Sequence, residues 1–306
     1  MKKLAVVLIF FSAAFFAADA QNSVAKEADM KYFTSLNISD EFSVVVKKGE
    51  GYKLRTNIDE RLEPYIIAYV DGDVLYLDID RKKFAPELKK ALRVPSSKTL
   101  VIEAEVTVPF VNSLEISGNS EIRYTDSIET DDFALKVTDK AKVSNMQVVC
   151  RNAEVNISKG AAVNAGIKTL SVLKISSAGI SKTYIKHIGD TLSITSTGSS
   201  LVEAEIDVKG LVVDNSGMSN VKIVSGNAGN MMVDASGSAK FNAADVCVPY
   251  AYMVQSGSSR SLVNVKDTLK VNLVGNSTLE FKENPYIDLE KIVSSTLARY
   301  DASSSK

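Results

Sequence analysis

Tryptophan is absent from this 306-residue chain, histidine occurs once, cysteine twice and proline six times. Each scarcity removes a class of function. A single histidine, His187, leaves almost nothing from which to build a His-based metal cluster or a Ser-His-Asp hydrolase. Charge of one sign is missing too: 36 Lys and Arg stand against 37 Asp and Glu, a formal net charge of −1 at pH 7. A nucleic-acid partner calls for a basic face and a high isoelectric point, so that class is set aside. After Ala18 no apolar run approaches the ~20 residues needed to cross a bilayer as a helix. HExxH, the P-loop, the dinucleotide glycine fingerprint and the nucleophile elbow are all lacking. No cofactor and no enzymatic activity are expected.

What is present is Val, Ile, Ser, Thr, Asn and Gly, arranged with a period. A short turn recurs as Ser117-Gly118-Asn119-Ser120, Ala178-Gly179-Ile180-Ser181, Thr197-Gly198-Ser199-Ser200, Ser216-Gly217-Met218-Ser219, Ser236-Gly237-Ser238-Ala239, Ser256-Gly257-Ser258-Ser259 and Val274-Gly275-Asn276-Ser277. Degenerate copies at Thr138-Asp139-Lys140-Ala141 and Ser158-Lys159-Gly160-Ala161 fill the early gap, so the steps between copies are 21, 20, 20, 19, 19, 20, 20 and 18 residues. Glycine supplies the positive-φ corner between two strands. Asp139 tolerates that conformation, whereas in the next copy Gly160 is expected to take it over from Lys159. Around each turn apolar residues alternate with polar ones, as in Leu114, Ile116 and Ile122 or Leu135, Val137 and Val143, the signature of half-buried strands. About twenty residues hold too few strands to bury an apolar face alone, but stacked coils bury it continuously. Propeller blades need ~40 residues or more per repeat. The chain is therefore read as all-β, a right-handed β-helix or β-solenoid of about nine coils over residues 113–282.

The flanks read differently. Met1-Lys2-Lys3, the apolar run Leu4 to Ala18 and Ala18-Asp19-Ala20 form a secretory signal peptide over 1–20. Residues 21–112 are β-rich without the motif, with strands expected at Phe42 to Lys47, Tyr52 to Thr56, Ile66 to Val70, Val74 to Ile79 and Leu100 to Val108; this region is taken to cover the first coil. Pro86 opens a short helical stretch carrying a basic spot of Arg81, Lys82, Lys83, Lys89, Lys90 and Arg93, read as a solvated face. At the other end Leu289, Ile292, Val293 and Leu297 have helical spacing behind Asp288 as an N-cap, so 283–306 is expected to be a capping helix followed by a disordered tail at Ser303 to Lys306.

Few residues suggest chemistry. Five coils at ~4.8 Å each separate Cys150 from Cys247 by about 24 Å, beyond disulfide reach, so both are expected to be free, buried thiols. Glu203, Glu205, Asp207, Asp214 and Asp234 are scattered acids, and the last two stand three residues before their glycines, which makes them neighbours on adjacent coils. Paired outward carboxylates could bind a cation or act as acid and base; surface decoration is the simpler reading. Gly118, Gly160, Gly179, Gly198, Gly217, Gly237, Gly257 and Gly275 are structural corners, not phosphate cradles, since no helix follows them. Asp126-Ser127-Ile128, Asp190-Thr191-Leu192 and Asp267-Thr268-Leu269 resemble the acceptor triplet of a bacterial O-glycosylation system, which marks Ser127, Thr191 and Thr268 as candidate sites.

The Leu-x-Ile-Ser-Gly-x-Ser pattern at Leu114 to Ser120, its echo at Val233-Asp234-Ala235-Ser236-Gly237 and the closing Val274-Gly275-Asn276-Ser277 before Asn284-Pro285 resemble a family of secreted bacterial proteins, the putative auto-transporter adhesin, head GIN domain family. The resemblance spans most of the chain, from Phe33 to Lys47 onward. It implies an all-β solenoid in a Gram-negative envelope, and it brings no catalytic or ligand residues with it. The leading reading is a non-enzymatic envelope protein in the periplasm or on the outer surface, binding a glycan or an envelope or host surface protein through the side of a solenoid. A self-associating envelope scaffold and a polysaccharide-acting β-helix enzyme are the alternatives.

Overall fold

The computed structural model describes residues 23–93 and 100–300. The expected signal peptide and the tail from Ser303 lie outside the described residues. In chain order the elements are β1 (Ser23–Asp29), β2 (Ser35–Ile38), β3 (Ser43–Lys48), β4 (Lys53–Asp59), β5 (Ile66–Asp71), β6 (Val74–Ile79), α1 (Pro86–Arg93), β7 (Ile102–Val108), β8 (Ser113–Ile116) and β9 (Glu121–Tyr124). They continue with β10 (Ser127–Glu129), β11 (Asp132–Val137), β12 (Lys142–Cys150), β13 (Asn152–Ile157), β14 (Ala162–Thr169), β15 (Val172–Ser177), β16 (Lys182–Ser196), β17 (Leu201–Asn215), β18 (Asn220–Ala235), β19 (Lys240–Gln255), β20 (Arg260–Val274), β21 (Thr278–Lys282), β22 (Tyr286–Val293) and β23 (Thr296–Arg299). Together they build an all-β solenoid of about nine coils.

Each coil has one strand entering a tight corner and one leaving it. The entering strands β8, β11, β13 and β15, the second halves of β16 to β20 and finally β22 stack in parallel register as one sheet. The leaving strands β9, β12 and β14, the first halves of β16 to β20, then β21 and β23 form the other sheet. Between the sheets the entering strands contribute one column, Leu114, Leu135, Val155, Ile175, Ile194, Val213, Val233, Met253 and Val271, each paired with the next and all at most 1% exposed. A lone coil could not persist: a few such side chains contribute ~2 kcal/mol each on burial, against roughly 1–2 kcal/mol of backbone entropy for each of some twenty residues. Neighbours above and below supply the rest.

A second inward column changes character along the axis. Ile116, Val137 and Ile157 give way to Ser177, Ser196, Asn215, Ala235 and Gln255 before Leu273 restores an apolar side chain, and all are buried. The buried hydroxyls are met from within: the Ser196 and Ser200 oxygens are 2.9 Å apart, Ser200 donates to the Ser177 carbonyl, Ser219 to the Ser196 carbonyl at 3.0 Å, and Asn215 Nδ2 to the Lys240 carbonyl at 2.7 Å. Burying the Ser177, Ser196 and Asn215 side chains is tolerable because they are hydrogen-bonded. In the coil of Ala235 and Ala239, the large side chain of Phe241 is buried with them.

The corners share one backbone conformation. Gly118, Gly179, Gly198, Gly217, Gly237, Gly257 and Gly275 have φ between 70° and 82°. A Cβ on Gly198 would stand 3.0 Å from both the N and the O of Gly179 in the coil below, so the stacked glycines pack backbone on backbone. Asp139 and Lys159 hold the same position at φ 65° and 62°. The expectation for Gly160 is therefore corrected: Lys159 itself takes the left-handed conformation, and the constant period of the ladder, not residue preference, decides which residue does so. Its ammonium lies 2.5 Å from Asp139 Oδ1, tying two adjacent corners together.

Residues 21–112 hold a coil that carries no glycine. Asp40, at φ 66°, stands directly beneath Gly118; β2 and β3 on either side pair in parallel with β8 and β9. The other edges of β2 and β3 pair in parallel with β6 and β7, so an early stretch of chain is inserted between later ones. The Asp40 carboxylate accepts from the Ile79 amide at 3.0 Å and from Arg81 Nε at 2.5 Å, joining these layers. Antiparallel strands β5 on β6, β4 on β7 and β1 on β4 close this end. The helical stretch expected after Pro86 is α1.

The far end departs from expectation. Residues 286–299 form no capping helix; they are β22 and β23, one further coil with its own left-handed corner at Ser294, φ 52°. Leu289 and Ile292 stand over Val271 and Leu273 because a bulge between them absorbs one residue, and this converts strand alternation into a helix-like spacing. Replacing Gly179 with Ala, where a Cβ would meet Lys159 backbone atoms at 2.9–3.0 Å, is expected to lower the melting temperature, whereas Lys159→Gly should raise stability by about 1 kcal/mol by relieving a left-handed lysine. Paired thermal melts of the two variants check both signs.

Candidate functional site

Because side chains alternate along every strand, the entering sheet presents a fixed set to solvent. In each of three outward columns residues pair directly from coil to coil: Thr191, Gly210, Asn230, Tyr250, Thr268 and Tyr286; Ser193, Val212, Met232, Tyr252, Lys270 and Asp288; Thr195, Asp214, Asp234, Val254 and Asn272. Successive members lie ~4.8 Å apart along the axis, and neighbours on one strand about 6.6 Å apart. Val212, Met232 and Tyr250 are 40%, 49% and 40% exposed. Val212 and Met232 pair in register and Tyr250 stands in the neighbouring column one coil further along, so exposed apolar and aromatic side chains lie beside a carboxylate pair; exposed apolar surface of this kind marks interaction sites.

Electrostatics fixes part of this face. The Tyr252 hydroxyl donates to Glu290 Oε2 at 2.9 Å, Lys270 Nζ lies 2.8 Å from Glu290 Oε1, and the same ammonium sits 5.3 Å from the Tyr252 ring centre. The Lys270 partner holds the Glu290 carboxyl below its ordinary range, while the hydrogen bond to that carboxylate raises the Tyr252 phenol. Asp214 and Asp234 do become neighbours, paired in register. Partial burial first, and the Asp214 charge second, raise the Asp234 carboxyl. Toward the N-terminal end the same face sinks into a shallow depression of about 500 Å³ lined by Asn112, Asp132, Ala134, Asn152, Glu154 and Lys174, with Asn152 Nδ2 donating to Asp132 Oδ1 at 2.9 Å.

The remaining candidates disperse. Glu203, Glu205 and Asp207 sit on the leaving sheet, on the other side of the core from Asp214 and Asp234; Glu205 accepts from Tyr184 and pairs with Lys186 at 3.6 Å. His187 is fully buried; its Nδ1 lies 2.8 Å from the Ile167 carbonyl, and burial lowers its pKa, which keeps the ring neutral and inside the core. Both cysteines are free, but only Cys150 is buried, with its thiol pushed up to about 11 by burial. Cys247 is exposed, which corrects the expectation: the alternation that buries Val246 and Val248 turns the residue between them outward. In the basic spot Arg81 is held by Asp40 and Glu41 and Lys83 by Asp80. Ser127 is exposed in β10, while Thr191 and Thr268 are half-buried members of the column that contains Tyr250. Among the described residues no group of three or more His, Cys, Asp or Glu side chains could hold a metal ion, and no helix is long and apolar enough to cross a membrane.

The stacked face, the repeated corner and the coil period together can be compared with known proteins. The family model for the putative auto-transporter adhesin, head GIN domain matches residues 32–185 and 161–285. The chain belongs to this family. Among solved structures it is similar to a putative adhesin from Parabacteroides distasonis, at 13% identity and a TM-score of 0.50, covering 92% of this chain and 98% of that one. A putative adhesin from Parabacteroides merdae is similar at 14% identity and TM-score 0.45, covering 91% and 96%. A protein described as a putative lipid binding protein, also from Parabacteroides distasonis, gives 16% identity and TM-score 0.46, covering 92% and 97%. At such identities the likeness concerns the fold alone. A comparison with curated proteins gives no match.

The exposed set of Val212, Met232 and Tyr250 went unnoticed in the sequence, although the coil arithmetic that paired Asp214 with Asp234 places Val212 and Met232 in register as well. The raised Asp234 pKa has a defined sign. The folded state holds that proton more readily than the unfolded chain, so the carboxyl's favourable contribution is complete below the ordinary carboxylate range and is lost as pH rises through the folded value. Asp234→Asn is therefore expected to melt higher than the parent at pH 7 and alike at pH 3, as read by thermal denaturation at the two pH values.

Proposed function

We propose that this protein is a non-enzymatic, adhesin-like module of the bacterial cell envelope that binds an extended surface glycan along the outward face of the entering sheet. The observation that carries the reading is the exposed side chains of Val212 and Met232, in register on adjacent coils and flanked by the in-register pair Asp214 and Asp234, with exposed Tyr250 above Asn230 in the neighbouring column. Aromatic rings offer apolar faces with polar edges, and carboxylates and amides beside them can accept and donate to hydroxyls. A flat, periodic face suits a polymer that runs along the axis better than a small molecule, which calls for a concave pocket. Family membership and the secretory character of Met1 to Ala20 support a secreted or cell-surface location.

The test is direct binding of the purified protein to an array of bacterial and host surface glycans, parent against Tyr250→Ala and Met232→Ser. Loss of a glycan signal by about tenfold with an unchanged melting temperature is the expected result, corresponding to ~1.4 kcal/mol. Equal binding by parent and variants would sink the assignment of this face. Protease shaving of intact cells reads the location: degradation with a periplasmic control intact is the expected outcome for an exposed adhesin, and protection until the outer membrane is opened would contradict it.

A further inference from the structure

Among the described residues, no strand covers the C-terminal end of the stack. Leu289 continues the buried column that ends at Val271, yet it is 52% exposed, and Ile292, above Leu273, is 39% exposed. Among the described residues β22 pairs with β20 alone and β23 with β21 alone, so both strands carry a free edge. The N-terminal end, by contrast, is crossed by the antiparallel strands β1, β4 and β5. An exposed apolar core mouth bordered by two unpaired edges is a template for strand addition.

We propose that this mouth is closed by the same end of a second copy of the chain, with β22 pairing antiparallel to its symmetry mate about a point between Leu289 and Glu290. Three features of β22 and its coil favour that occupant. In this register Asp288 faces Lys291 of the partner subunit and Lys291 faces Asp288 of the partner subunit, so two opposite-charge pairs form where like charges would repel. Ile287 meets Ile292 of the partner subunit at the rim of the core. The bulge at Glu290 makes these pairings possible: it sets Ile287, Leu289 and Ile292 inward and Asp288 and Lys291 outward, so the Asp288–Lys291 and Ile287–Ile292 pairs each share a face. A regular strand in this register would set inward residues against outward ones. The contact of β22 with its symmetry mate is isologous, so it closes on itself and gives a dimer, not a filament.

Sedimentation velocity of the purified protein across a wide concentration range tests this. The parent is expected to run as a dimer. Asp288→Lys, which opposes two cations, and Lys291→Asp, which opposes two anions, should each weaken association by at least about tenfold, and the Asp288→Lys/Lys291→Asp double variant should restore it. Circular dichroism melts establish that each variant is folded; should one single variant fail to fold, the other and the double variant still decide. A parent that stays monomeric at every concentration overturns the proposal. So do failure of the double exchange to restore association and open-ended assembly that keeps growing with concentration. Glycan binding by Tyr250 is read separately, so the two conclusions stand or fall apart.

Discussion

The hydrogen bond across stacked corners is the interaction on which the rest of the molecule depends. From Asp40 to Gly257, the carbonyl of each left-handed corner residue accepts the amide of the residue just past the corner in the coil above: Asn119, Lys140, Gly160, Ile180, Ser199, Met218, Ser238, Ser258 and Asn276 donate in turn at 2.5–2.8 Å. A one-residue slip would turn every side chain of the next strand to the opposite face. With the corner fixed, Leu114 and its successors stay inside, and Val212, Met232 and Asp234 stay outside. The outward columns are therefore a consequence of the corner as much as the core is. Any ligand that reads this face meets an array whose spacing the backbone sets, while substitution of single outward residues changes its chemistry without disturbing its geometry.

Much of this was legible in the amino-acid order because the signal is local and repeated. The corner at Gly198 is announced by its own neighbours, and the alternation around Leu135 and Val137 names the buried face without any distant contact. The errors arose where one position must answer to something elsewhere. Lys159 is left-handed because the coils on either side require it, against its own preference. Leu289, Ile292 and Leu297 imitate a helix because a bulge and a corner interrupt the strand alternation. Cys247 faces outward for a simpler reason: the strand alternation that buries Val246 and Val248 turns the residue between them to solvent. The pairing of β2 with both β6 and β8 has no local signal at all, since a short parallel ladder between distant segments leaves no mark on the spacing of either.

The candidate face divides in the same way. Asp214 and Asp234 could be matched by counting from their glycines. The role of Lys270 and Glu290 in bracing Tyr252 could not, because Glu290 belongs to the stretch read as a helix. The carboxylates Glu203 and Asp214 look close in a linear reading, yet they lie on opposite halves of β17, one in the leaving sheet and one in the entering sheet. What separates a group of acids from a scatter of acids in a solenoid is thus the coil coordinate, not the distance along the chain.

The insertion of β2 and β3 between later layers imposes an order on assembly. A chain delivered N-terminus first cannot complete its earliest coil when that coil emerges, because both flanking partners, β6 with β7 on one side and β8 with β9 on the other, come afterwards. Residues 35–48 find their first partners only in β6 and β7, and are paired on both edges only once Tyr124 has followed; loop-closure entropy is spent before these contacts repay it. From that point each coil of about twenty residues docks on a finished template and growth is local. The base of the solenoid depends on non-local pairing and the remainder on pairing between successive coils, so a chain emerging N-terminus first carries its least supported strands before the regular repeats begin.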